Sequence, residues 1–488
     1  MYTRVSQLQK DLRTRDDHFW LDLGQKQALK VFHKSAEHTP AYTDFLAKNG
    51  IKNHTKIRSF KDFIQYVPIT DKENYIKKYP ISELCYGGNQ AEGSIISQSS
   101  GTITGKSSLW PRFRSSEERS GLLHEVLLNE FFKHTKLKTL YVICFHLGSH
   151  IAGFVTATSI RDVVYRTSRG TLMTPGLDKK DILTVLKKVS PHYEQTVLIG
   201  YPPFLKDVMH EAIEEKIKVN KLNIKYIFSA ESFPEHWRDY VHELAGYERG
   251  TDNASINIYG SADVGFMAHE TPAMIRLRRL LAGDEKSCEE LRITQSYIPA
   301  LYQFHPWAIY FESIHRELVC SADAGIPLIR YNIKDFGQVY SLSNSKKIQE
   351  KIFHTNDWRL PIISVYGRSN YSATIYGVNI YPEHIRQIMA TNDFFSMCSG
   401  KFFLKTTFGK EDENLEIHME LNPRAHFDSS AKKKLQKKMV EHLQKINLEY
   451  QKLCSVVQKK AYPKLITYKF GSPEFRALKM KYKYIVTN

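Results

Sequence analysis

The sequence predicts an α/β protein: a large N-terminal α/β domain rich in parallel strands, then a small C-terminal α+β domain. Three observations carry that expectation. Short apolar runs alternate with amphipathic helical runs through the first three quarters of the chain. The last quarter reads instead as a hairpin followed by an amphipathic helix. A length of 488 residues is about three times the commonest single-domain length. Hydrophobic residues make up 42% and charged residues 25%, which is the balance of a folded chain and not of a disordered one.

From Gly24 to about Asn49, Leu29, Phe32, Tyr42, Phe45 and Leu46 recur at helical spacing, with Pro40 interrupting the run. Strand-like segments follow at residues 139–145, 196–200, 224–229 and 255–259, alternating with helical ones at 181–189, 203–217 and 234–245. Such alternation indicates a parallel sheet with sites at the carboxyl ends of its strands. Residues 140–160 contain no Asp, Glu, Lys or Arg, but a membrane span would bury His146, Ser149 and His150 in hydrocarbon. A buried strand, turn and helix start explains the run better. Near Gly367 the pattern changes. Residues 401–408 and 414–421 alternate like a hairpin, with Ser429 and Ser430 then capping a helix whose apolar stripe is Leu435, Met439, Leu443, Ile446 and Tyr450.

Six cysteines (Cys85, Cys144, Cys288, Cys320, Cys398 and Cys454) form no C-x-x-C pair. That spacing argues for reduced thiols and a cytoplasmic location, against a disulfide framework or structural zinc. The polar, charged N-terminus is unlike a secretory signal. Lys and Arg number 69 against 52 Asp and Glu, a net of +17. From Gly367 onward the count is 21 against 11, or +10, so a quarter of the chain holds more than half the excess. Lys432, Lys433, Lys434, Lys437 and Lys438 cluster on the helix, and Lys479, Lys481 and Lys483 near the end. A solvated lysine face is the plain reading, and a docking surface for a polyanion the sharper one.

The segment Ser99-Ser100-Gly101-Thr102-Ile103-Thr104-Gly105-Lys106-Ser107 suits a polyphosphate. Glycines let backbone N–H groups curl inward, hydroxyls add donors and Lys adds charge. A Walker A loop needs four residues between its first Gly and the Gly-Lys pair; here there are three, which disfavours a P-loop NTPase. Taken alone, the segment reads equally well as a surface turn.

The same segment resembles the phosphate loop of the adenylate-forming superfamily of acyl-CoA synthetases, adenylation domains and luciferases, and later segments follow that family's order. Residues 228–234, with Ser229, Ala230 and Glu231, look like its adenine-side loop. Asn257-Ile258-Tyr259-Gly260-Ser261-Ala262-Asp263 is similar to Y-G-x-[ST]-E, and Arg330-Tyr331-Asn332-Ile333-Lys334-Asp335 to R-Y-R-T-G-D. Gly367-Arg368-Ser369-Asn370 with Gly377-Val378-Asn379 resembles the hinge region. The lead-in Val67-Pro68-Ile69-Thr70-Asp71-Lys72 is similar to that of the phenylacetate-CoA ligase branch. The resemblance spans essentially the whole chain.

What it implies is an ATP- and acid-binding domain over residues 1–366, a hinge at 367–372 and a mobile lid domain at 373–488. ATP and a carboxylic acid would give an acyl adenylate and pyrophosphate, and the acyl group would pass to coenzyme A, or alternatively to an amine or an acidic carrier protein's thiol. Ser99, Ser100, Gly101, Thr102, Thr104, Gly105 and Lys106 would cradle the phosphates. Tyr259 would stack on adenine near Ser229, Ala230, Glu231 and Asn257. Asp335 would take the ribose hydroxyls, with Arg368 near ribose and phosphate, and Asp263 would hold magnesium. His146, Tyr201, Gly260 and Ser261 would face the acid, and Lys479, or else Lys481, would reach the α-phosphate. The chain departs from the pattern where Asp263 replaces Glu, Ile103 lengthens the loop, Lys334 replaces Gly and Asn370 replaces an acid, so a non-catalytic member is an alternative. A basic nucleic-acid-binding protein is the reading from another class, disfavoured by the lack of interleaved aromatic and basic motifs. Identity of the acid and oligomeric state, a homodimer included, stay open.

Overall fold

The computed structural model describes residues 2, 4–88, 94–98, 108–148, 151–293, 295, 298–368, 372–376, 378–408, 413–423, 425, 427–476 and 485–486. The chain divides into two compact units. The first comprises residues 1–232, 239–291 and 299–365; the second comprises 366–488 with the short segments 233–238 and 292–298.

The first unit opens with helices Val5–Thr14, Asp17–His38 and Pro40–Lys48; Pro40, at the first turn of the third, is where the sequence breaks the periodicity. A hairpin of β1 (Ser94–Gln98) and β2 (Leu109–Phe113) follows. The main sheet then uses β3 (Thr139–Cys144), β4 (Thr171–Met173), β5 (Gln195–Gly200), β6 (Ile224–Ser229), β7 (Ser255–Ser261), β8 (Gly265–His269), β9 (Ala300–Phe304), β10 (Ile309–Ile314), β11 (Glu317–Ala322), β12 (Leu328–Tyr340) and β13 (Ile362–Arg368). Their spatial order is β10-β11-β12-β13-β9-β8-β7-β6-β5-β3-β4. From β4 to β7 neighbours run parallel; β7 to β8 begins the antiparallel half. In β3 and β5 every residue is buried, as expected of parallel strands covered on both faces, and this is why they read as continuous apolar runs. The charge-free stretch 140–160 covers most of β3 and the first part of the helix Ile151–Thr167. No helix among the described residues is long and apolar enough to cross a membrane.

The second unit contains β14 (Ala373–Ile375), β15 (Val378–Ile380), β16 (Cys398–Phe408), β17 (Glu413–Leu421), β18 (Lys464–Tyr468) and β19 (Ile485–Val486), with β16 and β17 forming the hairpin. Leu435, Met439 and Leu443 of the helix Ser429–Ile446 pack into this unit's core with Ile417 and Met419. Two details differ from the sequence reading. The N-cap is Asp428, whose carboxylate accepts the Ala431 N–H at 2.7 Å, while Ser429 and Ser430 are already helical. The apolar stripe also spans two helices, because Asn447 breaks the run and caps Leu448–Val457 by accepting the Tyr450 N–H at 2.9 Å. A capping side chain bends the chain while leaving the apolar spacing intact. All six cysteines are buried and none is in a disulfide.

Candidate functional site

The parallel strands β3, β5, β6 and β7 deliver His146, Tyr201, Glu231 and Gly260-Ser261 to their carboxyl ends. Gly200 closes β5 where a Cβ would stand 2.9 Å from the Cys144 carbonyl oxygen. Tyr201 follows and donates its hydroxyl to Glu231 Oε1 at 2.5 Å. Between β6 and Glu231 lies Ala230 at φ 78°, a left-handed conformation that costs a non-glycine residue on the order of 1 kcal/mol. Past that turn the Glu231 main-chain carbonyl accepts Asn257 Nδ2 at 2.8 Å, and Ser229 Oγ donates to the Ile258 carbonyl at 2.9 Å. Asn257 is buried and also donates to Tyr302 Oη at 3.2 Å, yet its side-chain carbonyl has no partner. An orphaned buried acceptor costs roughly 1–3 kcal/mol and is the kind of group a ligand's N–H satisfies.

Tyr259 stacks on Tyr302, ring centroids 5.5 Å apart at 22°, and donates its hydroxyl to Asp335 Oδ2 at 2.5 Å. The bond joins residues 76 positions apart. Lys334, where the resembled pattern has glycine, takes a glycine-like φ of 65°, and Asn332 Oδ1 accepts its N–H at 2.8 Å. Within β12 a lysine is thus held in a conformation that favours glycine.

Asp263 is buried at the turn after β7. Lys72 Nζ lies 3.2 Å from its Oδ1, and Tyr331 donates its hydroxyl to Oδ2 at 2.7 Å; burial together with this carboxylate pushes the Tyr331 phenol well above its usual range. Lys72 arrives because the preceding residues dock on β12. Thr70 donates its N–H to Arg330 O and accepts from Asn332 N, while Arg330, paired with Glu312 at 2.9 Å, donates to the carbonyls of Ile64 and Val67. With both oxygens of Asp263 engaged, and with no cluster of three metal-ligating side chains among the described residues, these residues do not fit a resident magnesium ion. Magnesium is held by one or two carboxylates together with substrate phosphates.

The structure thus brings Ser229, Ala230, Glu231, Asn257 and Tyr201 into one hydrogen-bonded group, and Tyr259 with Asp335 into another. Gly260 and Ser261 end β7 at the tight β7–β8 turn, where a Cβ on Gly260 would meet the Gly265 carbonyl at 2.7 Å and Ser261 Oγ accepts the Val264 N–H. His146 is exposed, its ring accepting the Gly148 N–H at 3.0 Å. Ser99 to Lys106, Lys479, Lys481 and the side chain of Arg368 lie outside the described residues. Three participants were not singled out from sequence. Lys72 and Tyr331 stood inside quoted segments, but no spacing rule links either to Asp263, and Tyr302 lay in no motif.

No protein-family model and no curated protein matches the chain. Solved structures do. A 2-hydroxyisobutyryl-CoA ligase in the postadenylation state, with an AMP ester bound, superposes with a TM-score of 0.70 at 14% identity over 98% of this chain and 92% of its own. The same ligase with its AMP ester and CoA, in the thioesterification state, gives 0.58 at 15% identity, with 98% and 92% covered. An acyl acid amido synthetase in complex with 2,4-DB gives 0.63 at 14% identity over 99% and 94%. The chain has the fold these enzymes share, that of the adenylate-forming enzymes.

Proposed function

We propose that the protein is an ATP-dependent ligase that activates a carboxylic acid as its AMP ester, releasing pyrophosphate, and passes the acyl group to coenzyme A. The observation that supports this most is the buried, unpartnered side-chain carbonyl of Asn257 beside the Tyr259–Asp335 pair. An acceptor for an amino group, an aromatic face and a carboxylate for diol hydroxyls are what an adenosine moiety requires. Tyr201 and Glu231, at the ends of β5 and β6, would then face the acid with His146, Gly260 and Ser261. Magnesium would enter with the triphosphate as part of the substrate. Ser99 to Lys106 would bind the phosphates, Arg368 would lie near ribose and phosphate, and Lys479, or else Lys481, would neutralise charge developing at the α-phosphate. Residues 1–366 would form the ATP- and acid-binding domain and 373–488 a lid turning on 367–372. The docked lead-in with Lys72 on Asp263 is the feature that favours a phenylacetate-CoA ligase-like chain within the superfamily.

A second reading keeps adenylation and changes the acceptor to an amine, and it is favoured by the likeness to an acyl acid amido synthetase across nearly the whole of both chains. Pyrophosphate exchange into ATP over a panel of carboxylic acids tests the shared first step. Exchange with at least one acid is the expected result; no exchange with any acid, together with no ATP binding, refutes both readings. Supplying coenzyme A or amines to the exchanging acid separates them.

A further inference from the structure

The main sheet has a second end. Its parallel strands β4, β3, β5 and β6, neighbours in that order, all start at the pole opposite the candidate site. Six residues at about 3.3 Å each put this pole roughly 20 Å from the strand ends that precede Tyr201 and Glu231. The segments feeding these strands, 132–138, 168–170, 189–194 and 215–223, hold seven Lys and Arg against two Asp and Glu. Lys187 and Lys188, which end the helix Lys179–Lys188, and Lys225, second in β6, bring the count to ten against two. Residues 1–366 hold 48 against 41 in all, so with this pole set aside the rest stands balanced at 38 against 39. The whole excess of the first three quarters of the chain is gathered at one end of one sheet.

This charge is not neutralised by the protein. Lys133, Lys136, Lys187, Lys188, Lys218 and Lys221 are exposed and form no ion pair with a described carboxylate. Elsewhere on this unit Lys26, Lys48 and Lys77 each meet a carboxylate one turn away at 2.6, 2.6 and 2.5 Å. Burial and the neighbouring Lys133 push the Lys225 ammonium below its usual range, so like charges at the pole are close enough to feel one another. Helix carbonyl ends favour cations and account for Lys187, Lys188 and Lys216. They do not account for Lys136, Lys138, Lys218 and Lys221, which lie four to seven residues past the helices Arg114–Phe131 and Pro202–Glu214. Nor can the pole serve a nucleotide at the candidate site, since about 20 Å is more than twice the screening length of roughly 8 Å at physiological salt.

We propose that this pole docks on an anionic lipid surface, with the candidate site at the far end of the sheet. Nine of the ten cations are lysines, compact point charges suited to a diffuse field, not the arginine forks that grip single phosphates. They spread over the starts of four strands, about 15 Å at 4.8 Å per spacing, a breadth that fits the negative potential of a bilayer surface better than one small anion. Two apolar side chains stand exposed at the same end, Tyr165 at 76% and Ile213 at 42%, each in the last turn of its helix. An amphipathic tyrosine ring suits the headgroup layer. Duplex DNA, another extended polyanion, is read by a helix or ribbon that enters a groove, and a face of short connectors offers neither.

The test is co-sedimentation of the full-length protein with phosphatidylcholine vesicles containing about 30% phosphatidylserine in about 0.1 M NaCl. Lys136→Gln/Lys138→Gln/Lys218→Gln/Lys221→Gln removes charge from the pole, and Lys26→Gln/Lys30→Gln/Lys48→Gln/Lys77→Gln removes the same charge elsewhere. Expected are binding at least tenfold weaker to phosphatidylcholine alone, a tenfold or greater loss in the first variant and a change within twofold in the second. The comparison of the two lipids uses the unaltered protein and does not depend on either variant folding. No binding to anionic vesicles, equal binding to both lipids, or equal losses in the two variants overturns the proposal. A random-sequence DNA duplex that displaces the protein from the vesicles at equal phosphate concentration also overturns it, and assigns the pole to nucleic acid.

Discussion

Lys72→Met is the substitution whose outcome the structure constrains most closely. The ammonium lies 3.2 Å from Asp263 Oδ1, the Asp263 side chain is 7% exposed and that of Lys72 33%. At such a separation and an effective dielectric of about 20 the gross attraction is about 4–5 kcal/mol. Partial solvation of the lysine lowers its net worth to about 1–2 kcal/mol. Without Lys72 the carboxylate stays buried with the Tyr331 hydroxyl as its remaining described hydrogen-bond donor, so Lys72→Met destabilises the first unit by about 1–2 kcal/mol. Asp263→Asn costs less than about 1 kcal/mol, because Tyr331 still has an oxygen to donate to and the lysine can turn to water. The pair of substitutions is then less than additive, with a coupling near 1 kcal/mol. Urea unfolding followed by tryptophan emission reads this directly, since the Trp110 ring lies 5.6 Å from Lys72 Nζ. A coupling below about 0.3 kcal/mol, or a larger loss from Asp263→Asn than from Lys72→Met, refutes the pairing argument.

Further expectations concern pH, capping and charge. Burial pushes the rings of His124 and His269 down to about 4 and that of His305 well below its usual range, and His269 and His305 meet at 3.0 Å between their Nε2 atoms. The unfolded chain takes up protons near pH 6.5 that the folded chain refuses, so stability is full above about 6.5. It falls as pH drops toward 4, by roughly 3 kcal/mol for each of His124 and His269; urea midpoints at pH 7.5, 5.5 and 4.5 measure this, and an undiminished slope in His124→Phe counts against it. Asp428→Ala should cost about 1 kcal/mol by stripping the cap of helix Ser429–Ile446, whereas Ser429→Ala should cost only tenths; equal effects in thermal melts would contradict the assignment. Exchanging Lys432, Lys433 and Lys434, which are exposed, for glutamate should raise the acceptor's KM several-fold and leave pyrophosphate exchange unchanged. An unchanged acceptor KM would return this charge to plain solubility.

Much of the fold was legible because its elements are locally encoded. β3 and β5 announced themselves as continuous apolar runs because parallel strands are covered on both faces. The helical run read from Pro203, which in the structure begins one residue earlier as Pro202–Glu214, and the break at Pro40 followed from the fixed φ of proline. Legibility failed where two chemistries looked alike in one dimension. Ser429, Ser430 and Asp428 are all competent caps, and only the path of the backbone selects the aspartate. Asn447 lies inside an unbroken apolar periodicity and yet ends one helix to start another.

The candidate site divides in the same way. By itself the sequence determined the α/β class, the strand ends at which Tyr201 and Glu231 sit, and the residue types available there, because these depend on period and order along the chain. Only the tertiary structure decided that the side-chain carbonyl of Asn257 is buried without a partner, that the Tyr259 hydroxyl meets Asp335 and that Lys72 closes on Asp263. Each of these contacts joins segments distant in sequence. Their distances follow from how strands pack side by side in a sheet, and no spacing along the chain records that packing.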